Sequence, residues 1–391
     1  MIHTIEVIRH FNRIREFKEL HSLRKGFKKY DDITEYELYL KMPDVGINKI
    51  TLTKVNYYNV FSIKVEVNLS KLIGGEKLSL YRAGEKTESI RANFQYHMYQ
   101  LIENNTNSEV FDDLELFTDF DLYNVTRIDC TVQRKVSDVK TYIELLQRGD
   151  IPHKNGAEFE LHEDFKNKKD VAEPKEGSIY YKSKRLNVNF YDKSDELSKH
   201  GGTEEDIKKA KGILRLEVQC LYKTLDYQRK AITNKKNKTA WDGEKLIDYR
   251  SSNTKKFKFF NNKEFSEKMV TDKFIEVAQK GKYYKRSVGL AEIENSSKIH
   301  KQTKDKLTEI YNFVNPLGHK RRSIRELREK INSKTYKGTI QSSSELDRYL
   351  KRFDKIGVNA VALKEDYRFK DKEKFLPSLY EIIINEEYFV F

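Results

Sequence analysis

The residues most able to do chemistry lie on two stretches in which polar and apolar residues alternate, residues 185–197 (RLNVNFYDKSDEL) and 211–221 (KGILRLEVQCL). Successive side chains of a β-strand point to opposite faces. Tyr191 and Lys193 therefore share the polar face of the first predicted strand, and Arg215 and Glu217 share that of the second. A tyrosine, a lysine, an arginine and a carboxylate on neighbouring strands could form a reactive surface. Sheets often face water on one side, so an ordinary solvated face is the alternative interpretation.

Two earlier stretches alternate in the same way and add carboxylates. Residues 61–67 (FSIKVEV) place Glu66 on the polar side, and residues 126–133 (TRIDCTVQ) place Arg127 and Asp129 there. Together with Glu217, these polar faces carry three carboxylates, whose oxygens suit a hard cation such as Mg²⁺ or Mn²⁺. Salt bridges, such as one between Arg127 and Glu217, would explain the same residues without a metal, and this alternative stays open.

The four alternating strands are separated by segments with helical signals. Apolar residues at helical spacing predict a helix around residues 90–102, and capping residues predict helices at 137–149 and 203–212. We therefore expect an α+β fold, with an antiparallel or mixed sheet that carries helices on one face and leaves an open polar face on the other.

The composition limits the classes of protein and partner. The 391 residues suffice for two or three domains, and an excess of basic residues gives a formal net charge of +14. Such an excess favours a polyanionic partner, most commonly nucleic acid. Cys130 and Cys220 fall on apolar strand faces, which predicts buried reduced thiols and no zinc cluster. The first residues lack an apolar signal core, and no apolar run could span a membrane, so we expect a soluble intracellular protein.

Two domains are expected along the chain. Residues 1–225 would form a catalytic domain, and residues 226–391 would form a basic, mainly helical region that binds DNA. Within it, residues 253–263 (NTKKFKFFNNK) and 280–286 (KGKYYKR) interleave lysines with aromatic residues, which suits phosphate contacts and base stacking but also a helix surface over a core. We expect nucleic-acid contacts from Arg127, Lys255, Lys256, Lys258, Lys282, Lys285, Arg286, Lys320, Arg321 and Arg322.

A winged helix is the expected DNA-binding motif at about residues 300–365. Two capped helices are predicted at SIRELREKIN (323–332) and SSELDRYLKRFDKIG (343–357), and VNAVAL (358–363) follows as a predicted strand. The basic run at residues 319–322 would contact a phosphate backbone, although such runs are usually only solvated.

The order of these motifs resembles that of the gene II replication endonuclease of filamentous phages and related rolling-circle initiators. VEVNLSKLIGG (65–75) comes first, then the Arg-Ile-Asp strand at 127–129, the Tyr-x-Lys strand at 191–193 and the Arg-x-Glu strand at 215–217. The similarity extends over residues 57–230 and is thinner elsewhere. None of the nine histidines forms the His-x-His metal site found in many rolling-circle nickases. Any metal would therefore have to be held by carboxylates.

The resemblance implies a catalytic tyrosine at Tyr191, accompanied by Lys193, whose ammonium would favour the phenolate. It also implies acidic positions at Glu66, Asp129 and Glu217, to which we assign the metal, and it adds Arg215 as a catalytic candidate. Origin DNA with a locally single-stranded nick site would be the partner. A host helicase and polymerase could also take part, in the cytoplasm of a bacterial host, with an oligomer forming on the DNA.

Alternatives to this interpretation remain at the level of the sequence. Among the 24 tyrosines, Tyr180 and Tyr181 are the main rivals to Tyr191 as nucleophile. A repressor or origin-binding factor without catalytic activity would keep the charge and the winged helix and would use the polar faces only as structure. An RNA-binding module would need aromatic residues on an exposed sheet face.

Overall fold

The computed structural model describes residues 1–55, 60–76, 78–150, 160–161, 177–233, 239–241, 246–248, 256–318, 321–369 and 373–385. The strands are β1 (Ile2–Phe11), β2 (Arg24–Tyr30), β3 (Ile33–Leu38), β4 (Ile47–Val55), β5 (Phe61–Asn68), β6 (Asn124–Lys135), β7 (Glu160–Leu161), β8 (Ser178–Lys182), β9 (Leu186–Asp192), β10 (Ile213–Leu221), β11 (Thr239–Trp241), β12 (Leu246–Asp248), β13 (Tyr283–Tyr284) and β14 (Phe375–Leu376).

The helices are distributed along the whole chain. They are α1 (Ile14–Ser22), α2 (Leu69–Leu72), α3 (Thr87–Asn105), α4 (Glu115–Thr118), α5 (Val139–Gln147), α6 (Lys193–Lys199), α7 (Glu204–Ala210), α8 (Tyr222–Thr233), α9 (Phe257–Phe260), α10 (Lys263–Ala278), α11 (Arg286–Asn295), α12 (Lys301–Val314), α13 (Ile324–Asn332), α14 (Ser343–Ile356) and α15 (Leu379–Ile384). The fold is α+β, with a large antiparallel sheet and a mainly helical C-terminal region, which confirms the predicted fold class.

The chain forms two compact units, and each is built from separate stretches. The first unit comprises Met1–Thr131, Lys184–Asn187 and Glu217–Met269; the second comprises Val132–Ser183, Val188–Leu216 and Val270–Phe391. Neither set of limits coincides with the boundary near residue 225 that we expected. Strands β6, β9 and β10 each contribute residues to both units.

In the first unit the strand order is β2-β3-β4-β5-β1-β6-β10. From β2 to β6, each strand runs antiparallel to its neighbour. The core of this unit contains the apolar sides of these strands and the buried residues of α1 and α3, and the predicted apolar stripe of α3, which includes Phe94 and Met98, is buried. Stacked phenylalanine rings continue this core, with Phe17 and Phe61 centred 4.0 Å apart.

In the second unit the strand order is β6-β10-β9-β8-β7, and helices α11 to α14 form the C-terminal part. Ser323 caps α13 and Ser342 caps α14, as predicted. Helix α14 ends at Gly357, also as predicted, and this glycine adopts the left-handed conformation. The predicted strand at 358–363 is wrong: this segment is buried but makes only isolated bridges to Lys282 and Lys285. The strand expected to complete a winged helix is therefore not formed there.

The strands confirm the predicted apolar faces. Because side chains alternate with a period of two, one set of residues on each strand enters the core. Buried in this way are Phe61, Ile63, Val65 and Val67 of β5, Ile128, Cys130 and Val132 of β6, Leu186, Val188 and Phe190 of β9, and Leu214, Leu216, Val218 and Cys220 of β10. Both cysteines are free thiols, as predicted.

The polar faces of β6, β9 and β10 differ from the expectation of an open surface. Asp129, Gln133, Asn189, Tyr191 and Arg215 are all buried. Alternation tells which way a side chain points, but it cannot tell whether another part of the chain covers it. None of the described helices combines the length and the apolar character needed to cross a membrane.

Candidate functional site

Charged residues of the first unit line up across three neighbouring strands. Glu6 on β1 lies directly opposite Glu66 on β5 and opposite Arg127 on β6. Asp129 follows two residues after Arg127 and shares its face, because side chains on a strand repeat every two residues. The register therefore brings Glu66, Arg127 and Asp129 together, as the sequence predicted.

Arg127 lies at the centre of this group. Its Nε donates to Oδ1 of Asp129 at 3.0 Å, and its Nη2 donates to Oδ2 of Asp129 and to Oε2 of Glu66, both at 3.2 Å. Burial lowers the pKa of Arg127, but the charges of Asp129, Glu66 and Glu6 outweigh this effect and raise the pKa above its usual value. Arg127 thus stays fully ionised and pairs with Asp129 and Glu66, not with Glu217 as the alternative interpretation suggested.

Asp129 is the most deeply buried carboxylate of the group, with 2% of its surface exposed. Burial raises the pKa of its carboxyl well above the ordinary value; the charge of Arg127 opposes this shift, and the charge of Glu217 reinforces it. The carboxyl of Asp129 therefore keeps its proton to a higher pH than an ordinary aspartate does.

His3 also belongs to the group, although no pattern in the sequence indicated it. Its Nδ1 lies 3.7 Å from Oε2 of Glu217 and 3.1 Å from the hydroxyl of Thr4, and Nδ2 of Asn68 lies 3.2 Å from its Nε2. The Asn68 Oδ1 accepts from the backbone of Lys71, which fixes the amide so that its NH₂ group faces the ring. Nε2 of His3 therefore accepts, and the neutral ring carries its proton on Nδ1, toward Glu217.

Glu217 is also tied to Gln219 of its own strand and, through Gln219, to Asn187 of β9. Its Oε1 accepts from Nε2 of Gln219 at 2.9 Å, and Asn187 donates to Gln219 at 3.0 Å. These bonds hold the Glu217 carboxylate in one orientation. The side-chain alternation of β10 is the only sequence signal that places Glu217 and Gln219 on one face. Alternation does not specify which residues form hydrogen bonds.

The carboxylates were also expected to hold Mg²⁺ or Mn²⁺. Their oxygens have the right chemistry. The guanidinium of Arg127, however, occupies the position between Glu66 and Asp129 that a shared cation would need. Within the described ranges, no group of three or more His, Cys, Asp or Glu side chains is arranged to hold a metal ion. In this arrangement the guanidinium of Arg127, and not a cation, joins Glu66 to Asp129, so a metal at Glu66, Asp129 and Glu217 stays a prediction.

In the second unit, Tyr191 lies near the end of β9 and is 8% exposed. Asp192 then caps α6, because its Oδ1 accepts from the backbone N–H of Ser194 at 2.8 Å. The strand therefore ends one residue earlier than expected, and Lys193 is the first residue of α6, where it pairs with Glu196. The prediction that Lys193 continues the polar face of the strand is wrong.

Arg215 is the largest fully buried side chain of the described residues. Its Nε and Nη2 donate to Oε1 of Gln133 at 3.3 and 2.7 Å. Its Nη1 is buried without a hydrogen-bond partner among the described residues. A buried guanidinium with an unmet donor is costly, because a polar group removed from water loses its solvation without a full replacement.

Of the rival tyrosines, Tyr181 lies on β8 and is almost fully buried, whereas Tyr180 is half-buried. Burial raises the pKa of the Tyr181 phenol far above its usual value. A phenol with a higher pKa forms its reactive phenolate less readily. Tyr181 is therefore a weaker candidate for the nucleophile than its place in the sequence suggested.

Neither a family model nor a curated protein matches this sequence. Among solved structures, the chain is similar to a rolling circle replication initiator protein from Geobacillus stearothermophilus. The identity is 12%, the TM-score is 0.25, and the match covers 60% of this chain and 84% of that one. A TM-score at this level does not establish a common fold, so we draw no functional conclusion from it.

The basic residues expected to contact DNA have varied surroundings. Lys255 and Lys320 lie outside the described residues. In the first unit, Lys256 and Lys258 flank the start of α9 and are half-buried. Burial lowers the pKa of Lys256, and the nearby charge of Arg9 lowers it further.

In the second unit, Arg286 is tied to the end of α12, because its Nε donates to the carbonyl of Asn315 at 2.7 Å. Lys282 lies 4.2 Å from the ring centre of Phe375, and Lys285 lies 5.8 Å from that of Phe369. Arg322 lies 4.6 Å from the ring centre of Phe313.

Arg321, which was also expected to contact DNA, lines a cleft of about 230 Å³ in the second unit, and burial lowers the pKa of its guanidinium.

The aromatic residues interleaved with these lysines are mostly core residues. Phe257 and Phe260 of the first unit and Tyr283 of the second are each less than 5% exposed. Buried rings cannot stack on nucleic-acid bases without leaving the core. For these residues, the structure matches the alternative in which a basic helix surface covers a core.

Proposed function

We propose that this protein initiates rolling-circle DNA replication by nicking one strand of its origin and later rejoining it, with Tyr191 as the nucleophile. The observation that carries the proposal is the junction of β9 and α6, where Tyr191, the capping Asp192 and Lys193 follow one another. This junction presents the Tyr-x-Lys pair in the order that resembles the gene II type endonucleases. Tyrosine is suited to such a step, because the phosphotyrosyl bond preserves the energy of the bond that is cleaved.

The proposed step balances as a transesterification. The phenolic oxygen of Tyr191 forms a bond to the scissile phosphorus, and the bond from phosphorus to the 3′-oxygen breaks. The phenolic proton leaves to a base, and the departing 3′-oxygen takes up a proton to become a free 3′-hydroxyl that primes synthesis. In the closing step a 3′-hydroxyl attacks the 5′-phosphotyrosyl bond and releases the tyrosine.

Arg215 supports the proposal because guanidinium is the side chain best matched to a phosphate group. Its Nη1 is a buried donor with no partner among the described residues. We propose that a phosphate oxygen of bound DNA meets this donor after a rearrangement that exposes Arg215, which is fully buried in this structure. Gln133 would hold the remainder of the guanidinium in place through its Oε1.

A divalent cation, Mg²⁺ or Mn²⁺, at Glu66, Asp129 and Glu217 is part of the proposal. It requires Arg127 to leave Glu66 and Asp129, since the guanidinium now bonds to both carboxylates. For that reason we assign no chemical step to the ion. Titrating Mn²⁺ into the wild type and into Asp129→Asn, with bound Mn²⁺ followed by its electron paramagnetic resonance signal, tests binding independently of nicking.

Origin DNA would be the partner, with a host helicase and polymerase acting after the nick. The test is a supercoiled plasmid carrying the DNA that flanks the gene, incubated with Mg²⁺ and the wild type, Tyr191→Phe or Tyr181→Phe. We expect nicked circles and a detergent-resistant protein–DNA adduct with the wild type and with Tyr181→Phe. Both products should be absent with Tyr191→Phe, and peptide mass spectrometry of the adduct should locate the nucleotide on Tyr191.

Each other outcome points to a specific alternative. Nicking that persists in Tyr191→Phe would assign the nucleophile to another residue. Tight, specific DNA binding without nicking at any metal concentration would favour the non-catalytic DNA-binding protein. The salt bridges of Arg127 favour that second candidate, because they give the acidic residues a structural role.

A further inference from the structure

Strand β2 is the outermost strand in the order of the first unit's sheet, and all seven of its residues are exposed. Its sequence, RKGFKKY, contains four basic residues and no acidic one. It pairs with β3 on one side only, so the other edge of its backbone pairs with no described strand. This surface, which we call the β2 ribbon (residues 24–38 of β2, the turn and β3), has no role in the nicking chemistry proposed above.

Basic residues lie on both faces of this ribbon. Lys28 is opposite Glu35 in the register and Lys29 is opposite Thr34, so the two lysines point to opposite faces. Neither lysine forms an ion pair within 4 Å among the residues that the structure describes. The ribbon therefore presents unpaired positive charge on each side of a single strand.

The acidic residues nearby do not cancel these lysines. On β3, Glu35 pairs with Lys64 at 3.2 Å, and Glu37 pairs with Lys49 at 3.2 Å and with Lys25 of β2 at 3.9 Å, so neither carboxylate pairs with Lys28 or Lys29. Two further carboxylates, Asp31 and Asp32, lie in the turn at the end of the strand. The charge that remains along β2 itself is positive.

Protection of a sheet edge is the simplest explanation for lysines on an outer strand, because they discourage pairing with a second sheet. That explanation does not account for the aromatic residues. Phe27 is 68% exposed and Tyr30 is 53% exposed, and exposed aromatic rings on an edge promote association. The combination of unpaired lysines and exposed rings indicates a binding surface.

The arrangement of the rings decides which form of DNA fits. A platform for single strands stacks successive bases on rings that share one face. Phe27 shares its face with Tyr36, whereas Tyr30 is opposite Ile33 on the other face. A two-stranded ribbon with cations on both faces instead suits the major groove of a duplex, which is about 12 Å wide and has a phosphate wall on each side.

We propose that the β2 ribbon inserts edge-on into the major groove of duplex origin DNA, with Lys28 contacting one phosphate wall and Lys29 the other. Phe27 and Tyr30 then contact base edges and sugars. The seven residues of β2 extend about 20 Å at the usual rise of a strand, enough to follow the groove for roughly half a helical turn. The choice of origin DNA rests on the proposed function, but the binding itself requires neither Tyr191 nor a metal.

The test is fluorescence anisotropy with a labelled duplex from the flanking DNA, in EDTA, over a series of salt concentrations. The variants are Lys28→Gln with Lys29→Gln, Phe27→Ala with Tyr30→Ala, and a charge-matched control. The control is Lys263→Gln with Lys268→Gln on α10, which removes two exposed lysines of the same unit. Loss of two phosphate contacts should reduce the slope of log affinity against log salt by roughly 1.8, with a clear loss of affinity at low salt.

We expect the control to keep the wild-type slope, and Phe27→Ala with Tyr30→Ala to weaken duplex binding with the slope unchanged. Dimethyl sulfate should show guanine N7 positions protected by the wild type and exposed in the lysine variant, because N7 lies in the major groove. A wild-type slope in the lysine variant would overturn the proposal, and so would a loss confined to single-stranded oligonucleotides.

The outcomes separate this proposal from the nicking activity. If the wild type nicks its plasmid while the lysine variant keeps the wild-type slope, the ribbon proposal fails and the nicking function stands. If the wild type does not nick, but the slope of log affinity against log salt falls in the lysine variant as described, the ribbon binds duplex DNA and the nicking function fails. Circular dichroism tests whether each variant is folded. We expect all of them to fold, because all four substituted β2 residues are exposed.

Discussion

Replacing Arg148 with methionine tests whether one buried guanidinium holds the C-terminal helices of the second unit in place. Arg148 follows α5 and is 9% exposed. Its Nη2 donates to the carbonyl of Val314 at 2.9 Å and to Oδ1 of Asn315 at 2.6 Å, at the end of α12. Its Nη1 and Nε donate to the carbonyls of Ala362 and Arg322 at 2.8 and 3.1 Å.

The magnitude follows from which acceptors keep another donor. Oδ1 of Asn315 still accepts from the backbone of Ala362, and the carbonyl of Val314 still accepts from that of Arg322. The carbonyls of Ala362 and Arg322 lose their guanidinium donors, at a cost of about 1–3 kcal/mol each. Burial lowers the pKa of Arg148 to about 10, so relief of its desolvation offsets part of this cost. We expect a net loss of about 3 kcal/mol.

Native-state hydrogen exchange measured by mass spectrometry is the assay, because it reports the local opening free energy of α12 and α14. A loss of about 3 kcal/mol corresponds to roughly 100-fold faster exchange. The matched control is Arg348→Met on α14, an exposed arginine whose substitution should change the free energy by less than about 0.5 kcal/mol. Exchange rates in Arg148→Met equal to those of the control would refute the reasoning.

Three further predictions concern substitutions at Asp129 and Arg127 in the first unit and at Gly149 in the second. The pKa of Asp129 is raised in the folded state, so the protonated carboxyl stabilises the fold at low pH, and this stabilisation is lost as the pH rises through that pKa. Asp129→Asn should therefore flatten the pH dependence of the free energy of unfolding measured in urea. Arg127→Met should cost about 3–5 kcal/mol in the same assay, because Asp129 would be left buried without its cation, and adding Asp129→Asn should recover part of the loss. Gly149→Ala should lower the thermal midpoint, since the new Cβ would lie 2.4 Å from the carbonyl oxygen of Val277, whereas Gly26→Ala, with nothing within 4 Å, should not.

Local patterns in the sequence predicted the strands and helix ends well. The apolar faces of the four alternating strands follow from the two-residue repeat, and their residues, such as Val65 and Leu216, are buried. Thr203 forms the predicted capping box with Asp206, because a short polar side chain can satisfy the free N–H groups of a helix start. Signals of this kind depend only on neighbours within one turn or one strand.

Features set by distant contacts were not predictable in the same way. Lys193 was expected in a strand, but the Asp192 side chain caps a helix there and ends the strand earlier. His3 joins Glu217 across more than 200 positions of sequence, and no local pattern links the two. Asp129, Tyr191 and Arg215 on the polar faces of β6, β9 and β10 are buried because of packing that strand alternation does not encode.

The two units are interleaved in the chain, which consists of six segments that alternate between them and therefore crosses from one to the other five times. No single cut separates the units, so neither can be prepared by simple truncation. During synthesis the first unit lacks its last segment until residue 269 has left the ribosome, and the second lacks most of its helices until later still. Both units therefore depend on late, long-range chain closure, which slows folding and prolongs the time in which partly folded chains can be captured by chaperones or proteases.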